Sequence, residues 1–273
     1  MDQATYANPS VVLALFQIKH LPTPRVDDQF VAATRRLLAD LAPLHRADVP
    51  QQIRRNLDPA VAEDSLAFSQ PAPLHHFYNR SRDLAITYGP NSLSVEASAY
   101  CGWKHFSSAI RTALSLLARP DGTLEIDGIE RVGLRYVDEI RVPTDGLEPD
   151  WADWIAPDLL APELPDEFTL VQQQSLILYS VNRGSDSLAL RYGAVNGPSA
   201  FASTAYLTRA EVQSGPYFLL DTDAFWLPKP GDPLAEPRTE VLMKMADRLH
   251  VPAKAAFERS ITDRLRARVL NRG

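Results

Sequence analysis

The segment LAITYGPNSLSVEASAY, Leu84 to Tyr100, indicates a β-hairpin. Two alternating runs flank the turn-forming residues Gly89, Pro90 and Asn91. Alternation with a period of two is typical of a strand with one buried face, and a glycine-proline-asparagine cluster between two such runs reverses the chain. Because a hairpin pairs its strands in opposite directions, this segment predicts an antiparallel or mixed sheet.

The remaining chain mixes similar strand patterns with amphipathic helical patterns. Strand-like runs occur at 11–21, 65–69, 128–142, 170–181, 187–195 and 216–226, and helical patterns at 27–44, 103–117 and 235–270. A short helix is also indicated near 150–160, and no glycine-rich phosphate-binding motif occurs. We therefore predict an α+β fold in which amphipathic helices pack mainly on one face of an antiparallel or mixed sheet.

The 273 residues suit a single compact domain that spans 1–273. LAITYG (Leu84 to Gly89) and LALRYG (Leu188 to Gly193) share a pattern, and each precedes a long amphipathic helix. One interpretation is an internal duplication with halves 9–120 and 128–270. The other is that two ordinary strands happen to have similar compositions.

Composition excludes several classes of protein. The net charge of −6 disfavours a protein that coats nucleic acid, although a local basic patch is still compatible with it. A single cysteine, Cys101, cannot form an internal disulfide, and no Cys/His cluster has the spacing of a zinc site. The first apolar run, Val11 to Phe16, is too short for a membrane span and follows no basic region. These features predict a cytoplasmic protein that does not associate with membranes.

Two acidic residues stand out in FLLDTDAFW, Phe218 to Trp226. In a strand, Asp221 and Asp223 share one face with their Cα atoms roughly 7 Å apart. They could bind Mg²⁺ or Mn²⁺ in a phosphohydrolase or nuclease, with Arg135 as the electrophile. The preferred interpretation is an ion pair between Arg135 and one or both aspartates on neighbouring strands. A solvated face or a ligand-binding patch accounts for the remaining alternatives.

The acidic, proline-rich segment 145–167 carries Trp151 and Trp154. Exposed aromatic residues of such a segment can anchor a protein partner. The alternative is a loop that folds back on its own sheet. Elsewhere, His75 and His76 lie in a proline-dotted connector and are predicted at the surface.

The C-terminal helical pattern contains a proline at position 252. Pro252 is expected to kink or split the helix, since proline removes one backbone hydrogen bond and clashes with the preceding turn. His250 would then lie at a helix end, where an imidazole complements the helix dipole.

Several segments together resemble a known family. They are PSVVLALFQIKH (9–20), YCGWKHF (100–106), VGLRYVDEI (132–140), FLLDTDAF (218–225) and RLHVPAKAAFERSITDRLR (248–266). In this order and spacing they resemble a sporadically distributed family of uncharacterised prokaryotic proteins. The family's first strand typically carries an acidic residue, which this chain lacks between Ala14 and Gln17. The resemblance implies no particular activity, and it implies mobile genes in defence or mobile-element neighbourhoods.

The sequence as a whole favours a non-enzymatic binding or accessory protein without a cofactor. Its partner would be a protein or a small ligand, and a homodimer is one form it could take. The alternative function is the metal-dependent phosphohydrolase or nuclease built on Asp221 and Asp223.

Overall fold

The computed structural model describes residues 6–22, 28–49, 72–118, 125–144 and 148–271, apart from 163, 166, 169, 171, 183 and 210. The described strands are β1 (Val11–His20), β2 (Leu44–Asp48), β3 (Leu74–Tyr78), β4 (Leu84–Gly89), β5 (Ser92–Ala97), β6 (Ile129–Ile140), β7 (Ser175–Val181), β8 (Asp186–Gly197) and β9 (Gly215–Trp226). The helices are α1 (Asp28–Leu37), α2 (Trp103–Ser115), α3 (Thr239–Ser260) and α4 (Asp263–Leu265), the last continuing into a π-helical turn, Arg266–Leu270. The strand pattern at 65–69 lies outside the described residues.

The described strands form one sheet in the order β2-β3-β4-β5-β1-β6-β9-β8-β7. Every neighbouring pair is antiparallel. The predicted hairpin is confirmed as β4 and β5, in which Gly89 pairs with Ser92 across the turn. The predicted α+β class with an antiparallel sheet is therefore confirmed.

The strand order is mirrored about the central pair of β1 and β6. Moving outward, β5, β4 and β3 lie on one side, and β9, β8 and β7 lie on the other; β2 is an additional edge strand beyond β3. A long helix follows the innermost hairpin strand in each half, α2 after β5 and α3 after β9. LAITYG forms β4 and LALRYG lies within β8, so the two similar segments occupy corresponding positions. A common origin of the halves stays a prediction.

Alternate residues of the central strands pack with the helices in a large apolar cluster. Phe16, Leu134 and Ala224 of the sheet share this cluster with Ile110 of α2 and Leu249 of α3. A fully buried leucine or phenylalanine side chain stabilises a fold by about 1.5–3 kcal/mol relative to exposure. The amphipathic patterns of α2 and α3 are thus explained by burial against the sheet. Within the described part of the chain, no helix is long and apolar enough to cross a membrane.

The described residues 198–209, between β8 and β9, cross toward β4 and β5. The hydroxyl of Ser98 donates a 2.6 Å hydrogen bond to the carbonyl of Thr208. The ring of Tyr206 stacks on His76 with a centroid distance of 3.8 Å. We call this stretch the crossing segment.

Glu139 of β6 holds the other end of the crossing segment. Its carboxylate accepts hydrogen bonds from the hydroxyl of Ser199 and, at 2.6 Å, from the backbone N–H of Ala200. Arg209 and Arg141 also donate to it, at 3.1 and 3.2 Å. Several donors on one buried carboxylate tie the segment firmly to the sheet.

Two histidine predictions are wrong. His75 and His76 are buried on β3, where the sequence suggested a surface connector, because Tyr206 from a distant part of the chain stacks on His76. α3 runs without a break through Pro252, so His250 lies inside the helix and does not end it. Burial of Leu249 and Ala253 beside the proline offsets the lost backbone hydrogen bond.

Candidate ligand-binding site

The aspartates singled out in the sequence belong to a row of ion pairs. Nε and Nη2 of Arg135 each donate a 2.7 Å hydrogen bond to one oxygen of Asp221. Nη1 of Arg191, from β8, lies 3.4 Å from the same carboxylate. The predicted pairing of Arg135 with an aspartate of a neighbouring strand is confirmed, and Asp221 is the aspartate involved.

Asp223 has its own arginine. Nη2 of Arg131 donates to both oxygens of Asp223, at 3.0 and 2.8 Å. The Arg131 side chain reaches this position by lying across Gly133, where an added Cβ would collide with the guanidinium. A glycine at this position therefore permits the second ion pair.

This pairing changes how Asp221 and Asp223 can be used. A divalent cation would have to displace the guanidinium groups that now hold the carboxylates. Across the residues described above, no group of three or more His, Cys, Asp or Glu side chains could hold a metal ion. The arrangement is that of interstrand ion pairs, which fix strand register.

The tryptophan segment folds back on the protein. Trp154 is only 8% exposed and belongs to an apolar cluster with Phe218 and Leu265. Its ring also lies 4.6 Å from the guanidinium carbon of Arg264. Trp151 is half-buried, with its ring centroid 5.7 Å from that of Phe218. The expectation of an exposed anchor is wrong for Trp154, because its ring is part of the interior; partner binding through this segment stays a prediction.

A cavity of about 320 Å³ lies between the sheet and the helices. It is lined by residues of the N-terminal segment, β6, β9, the start of α2 and the middle of α3, among them Tyr6, Ser10, Tyr100, Gly102, Trp103, Lys104, Tyr136, Asp138, Thr222, His250, Lys254, Phe257 and Glu258. Ligand pockets usually measure about 300–1,000 Å³ and combine apolar walls with a few polar groups. This cavity has that composition and lies at the small end of the range.

The polar floor of the cavity carries an unusual acid. Asp138 of β6 is 1% exposed, and its Oδ1 accepts a 2.8 Å hydrogen bond from the hydroxyl of Ser10. No cation of the described chain forms an ion pair with it, and burial raises the pKa of Asp138 to about 7. A carboxyl group in this state can bind a ligand either as an acceptor or as a donor.

Thr222 lies beside this acid on β9, opposite Tyr136 in the strand register. It is 1% exposed, and its hydroxyl oxygen has no hydrogen-bond partner among the described residues. A buried hydroxyl without a partner costs about 1–3 kcal/mol. Thr222 also lines the cavity.

One wall is aromatic. The ring of Trp103 stacks on His250 with a centroid distance of 4.4 Å, and the Tyr136 hydroxyl lies 3.1 Å from His250 Nδ1. Burial lowers the pKa of His250 to about 4, so the imidazole is neutral at pH 7. The Tyr136 hydroxyl has a pKa raised by burial and is protonated, so it can donate to Nδ1 in the matching tautomer. Tyr100 packs edge-on against Tyr136, with centroids 5.4 Å apart.

The start of α2 forms part of the cavity lining. Gly102 adopts a φ of 94°, which favours glycine, and supplies no side-chain cap to the helix. The first turn of α2 contains no acidic residue, and the exposed Lys104 lies there. The uncapped N–H groups and Lys104 contribute positive charge at this edge, and the Asp247 carboxylate accepts a 3.0 Å hydrogen bond from Nε1 of Trp103 beside it.

The interpretation of the sequence missed this cavity, although one signal was present. Leu134, Tyr136, Asp138 and Ile140 alternate on β6, so Asp138 interrupts an otherwise apolar face. An acid at such a position is a candidate functional residue. The stacking of Trp103 on His250 had no comparable signal, because these residues are far apart in the chain.

Comparisons with models of known protein families and with curated proteins find no match to this chain.

Proposed function

We propose that this chain is a non-enzymatic binding protein that recognises a small ligand in the cavity between the sheet and α3. The observation that carries the proposal is that two unfavourable buried groups occur together. Asp138 is a buried acid without a cationic partner, and Thr222 is a buried hydroxyl without a hydrogen bond among the described residues. Both groups cost stability, and both line the same cavity. Proteins keep such groups mainly where binding requires them.

The arrangement supports binding more than catalysis. Tyr136 and Tyr100 have pKa values raised by burial, the latter to about 12, and the pKa of His250 is lowered. All three groups are therefore neutral at pH 7 and can serve as hydrogen-bonding and stacking surfaces. A general base near neutral pH would require a pKa close to 7. Of the cavity groups named above, Asp138 approaches this value, and its buried position against Ser10 suits recognition of a bound group.

The test uses two isosteric substitutions, of which one replaces the carboxyl group of the cavity by an amide and the other removes the hydroxyl. The wild type, Asp138→Asn and Thr222→Val are screened against one defined panel of metabolites by thermal shift. We expect at least one compound to raise the wild-type melting temperature by several degrees and to affect both variants much less. Because both variants lose an unfavourable buried group, we expect their own melting temperatures to equal or exceed that of the wild type.

Asp223→Asn is the matched control, since it makes the same change at an acid of β9, the strand of Thr222, which pairs with Arg131 and does not line the cavity. This variant should retain the wild-type ligand response. A compound that stabilises all three variants equally would place the binding site elsewhere, and the absence of any stabilising compound would contradict the proposal.

The mirrored strand order supports a further part of the proposal. We propose that the two halves arose by duplication and that α2 and α3 are equivalent helices on one face of the sheet. The cavity then lies at the junction of the halves, where Val11 of β1 pairs with Asp138 of β6. Superposition of β1, β5 and β4 on β6, β9 and β8 tests this relationship. The defence or mobile-element context and the homodimer stay proposals that accompany the family resemblance and the sequence.

A further inference from the structure

We infer that the cavity binds a planar heterocycle with a hydrogen-bond-donating edge and an anionic substituent, which is the chemistry of a guanine mononucleotide. This inference rests on the proposed function and narrows it to a ligand class. It combines three features of the cavity: an acidic floor, an aromatic wall and a positive edge.

The floor favours a ligand that donates hydrogen bonds. A carboxylate can accept about four hydrogen bonds, and Ser10 supplies one to Asp138. Two parallel N–H groups, such as those on the edge of guanine, match the spacing of two carboxylate oxygens, as an arginine fork does. Thr222 adds a hydroxyl that can both donate and accept.

The wall favours a flat ring. Trp103, His250 and Tyr136 form a contiguous aromatic group, in which the first two rings are almost parallel, at 6°. Aromatic side chains stack on nucleobases with about 1–3 kcal/mol of stabilisation per base. With 320 Å³, the cavity suits one small molecule of this kind.

The positive edge favours an anion. The N–H groups in the first turn of α2 have no partner within the helix, and Gly102 provides no side-chain cap. Lys104 lies in the same turn, and Lys254 of α3 also lines the cavity, as does the acid Glu258, whose carboxylate accepts hydrogen bonds from Tyr6 and Arg266. Helix N-termini with a nearby lysine are common phosphate sites, and the orphan hydroxyl of Thr222 indicates independently that this cavity takes a ligand.

The experiment measures binding of GMP, IMP, guanosine and AMP to the full chain by isothermal titration calorimetry. It is run at pH 8, above the pKa of Asp138, so that the carboxylate is ionised. We expect GMP to bind the wild type about 10- to 100-fold more tightly than IMP, which lacks the exocyclic amine that donates to Asp138. AMP, which presents a different donor pattern, should bind at least as weakly as IMP.

The variants assign each part of the ligand to its residue. Asp138→Asn should abolish the preference for GMP over IMP, and Lys104→Ala should weaken GMP by roughly threefold while leaving guanosine unchanged. Asp223→Asn, on the ion-pair side, should bind GMP as the wild type does.

Three results would overturn the inference. No binding of GMP up to about 1 mM rules out this ligand class. Equal binding of GMP to the wild type and Asp138→Asn shows that the acid does not read the base. A metabolite that lacks a donor edge or an anionic group, yet binds in a manner sensitive to Asp138 and Thr222, refutes the ligand class and leaves the proposed function intact.

Discussion

Asp138 and Glu139 are adjacent in the chain and almost equally buried, at 1% and 3% exposure, but they lie in opposite environments. Asp138 faces the cavity beneath α3 with one hydroxyl donor, and burial raises its pKa to about 7. Glu139 holds the crossing segment. Burial alone would raise its pKa, but the donors Ser199 and Ala200 and two arginines lower it.

The difference between Asp138 and Glu139 shows that burial alone does not determine whether an acid stabilises or destabilises the fold. Glu139 is surrounded by donors and cations, so its charge stabilises the fold. Asp138 has one hydroxyl donor and no cation to offset the cost of burying its charge, so the charge opposes folding. The carboxyl group is instead free to accept hydrogen bonds from a ligand. Matched amide substitutions at the two positions should therefore change stability in opposite directions.

The largest effect is expected for Glu139→Gln. Removal of the charge leaves Arg141 and Arg209 facing an amide, and breaking a buried ion pair typically costs about 3–5 kcal/mol. We expect a loss of this size in the free energy of unfolding at pH 7, measured by urea denaturation.

The pH dependence of Glu139→Gln provides its control. The pKa of Glu139 is lowered in the folded state, so its contribution is present above the ordinary value of 4.5 and is lost as the pH falls through the folded value. The gap between wild type and variant should close in acid. A gap of less than about 1 kcal/mol at pH 7 would show that the crossing segment does not depend on this carboxylate.

The second effect is a gain in stability for Asp138→Asn. Between its ordinary value of 3.8 and about 7, the folded state holds a proton that the unfolded state has lost. Wild-type stability should therefore fall across this window because of this group, by about 2–4 kcal/mol in total, and level off above it. Asparagine does not titrate, so the variant should exceed the wild type at pH 8 by about that amount.

Urea denaturation at pH 5 and pH 8 checks this expectation for Asp138→Asn. The difference between variant and wild type should be smaller at pH 5 than at pH 8, because about a third of the window from 3.8 to about 7 has been crossed at pH 5. A variant that is less stable than the wild type at pH 8 would mean that Asp138 has stabilising partners and that the two neighbouring acids do not differ as described.

The smallest effects concern the ion-pair row. Asp221 is buried and meets both Arg135 and Arg191, whereas Asp223 is the more exposed carboxylate and meets Arg131. Because water partly solvates Arg135 and Arg191, we expect Asp221→Asn to lose about 2 kcal/mol. Asp223→Asn should lose less than about 1 kcal/mol, because burial raises the pKa of Asp223 and so offsets the stabilisation that Arg131 provides.

Denaturation at 0.1 and 1 M NaCl separates the two ion pairs. The Asp223 effect should shrink in high salt more than the Asp221 effect, because salt screens exposed charges. Equal losses of stability for the two variants, or a larger loss for Asp223→Asn, would show that the burial of the carboxylate does not determine how much each ion pair stabilises the fold.

Much of the fold is predictable from local patterns. The hairpin of β4 and β5, the long strands β6, β8 and β9, and the helices α2 and α3 all follow from period-two or helical spacing. Short strands were harder to identify. β2 and β3 have only five residues each and lie in polar, histidine-containing sequence. Their strand structure depends on pairing, of β3 with β4 and of β2 with β3.

The candidate sites also differ in how far the sequence predicts them. Arg135 and Asp221 could be paired in advance, because both lie on regular strands and carry opposite charges on a shared face. The cavity could not be assembled, since Asp138, Thr222, Trp103 and His250 come from four elements whose proximity depends on strand order and on how α3 crosses the sheet. The burial of Trp154 likewise depends on a distant partner, Leu265.

The sequence by itself determined the class of fold, the alternation of buried and exposed side chains along the strands, and the faces on which the charged residues of the strands lie. These properties follow from backbone periodicity and local turn chemistry. Tertiary structure alone decided which buried acids have hydrogen-bond donors and cations that stabilise their charge. A carboxylate responds to the groups within a few ångströms, and for Asp138 and Glu139 those groups come from distant parts of the chain. Adjacent positions in one strand thereby acquired opposite roles, one holding the fold together and the other facing a cavity.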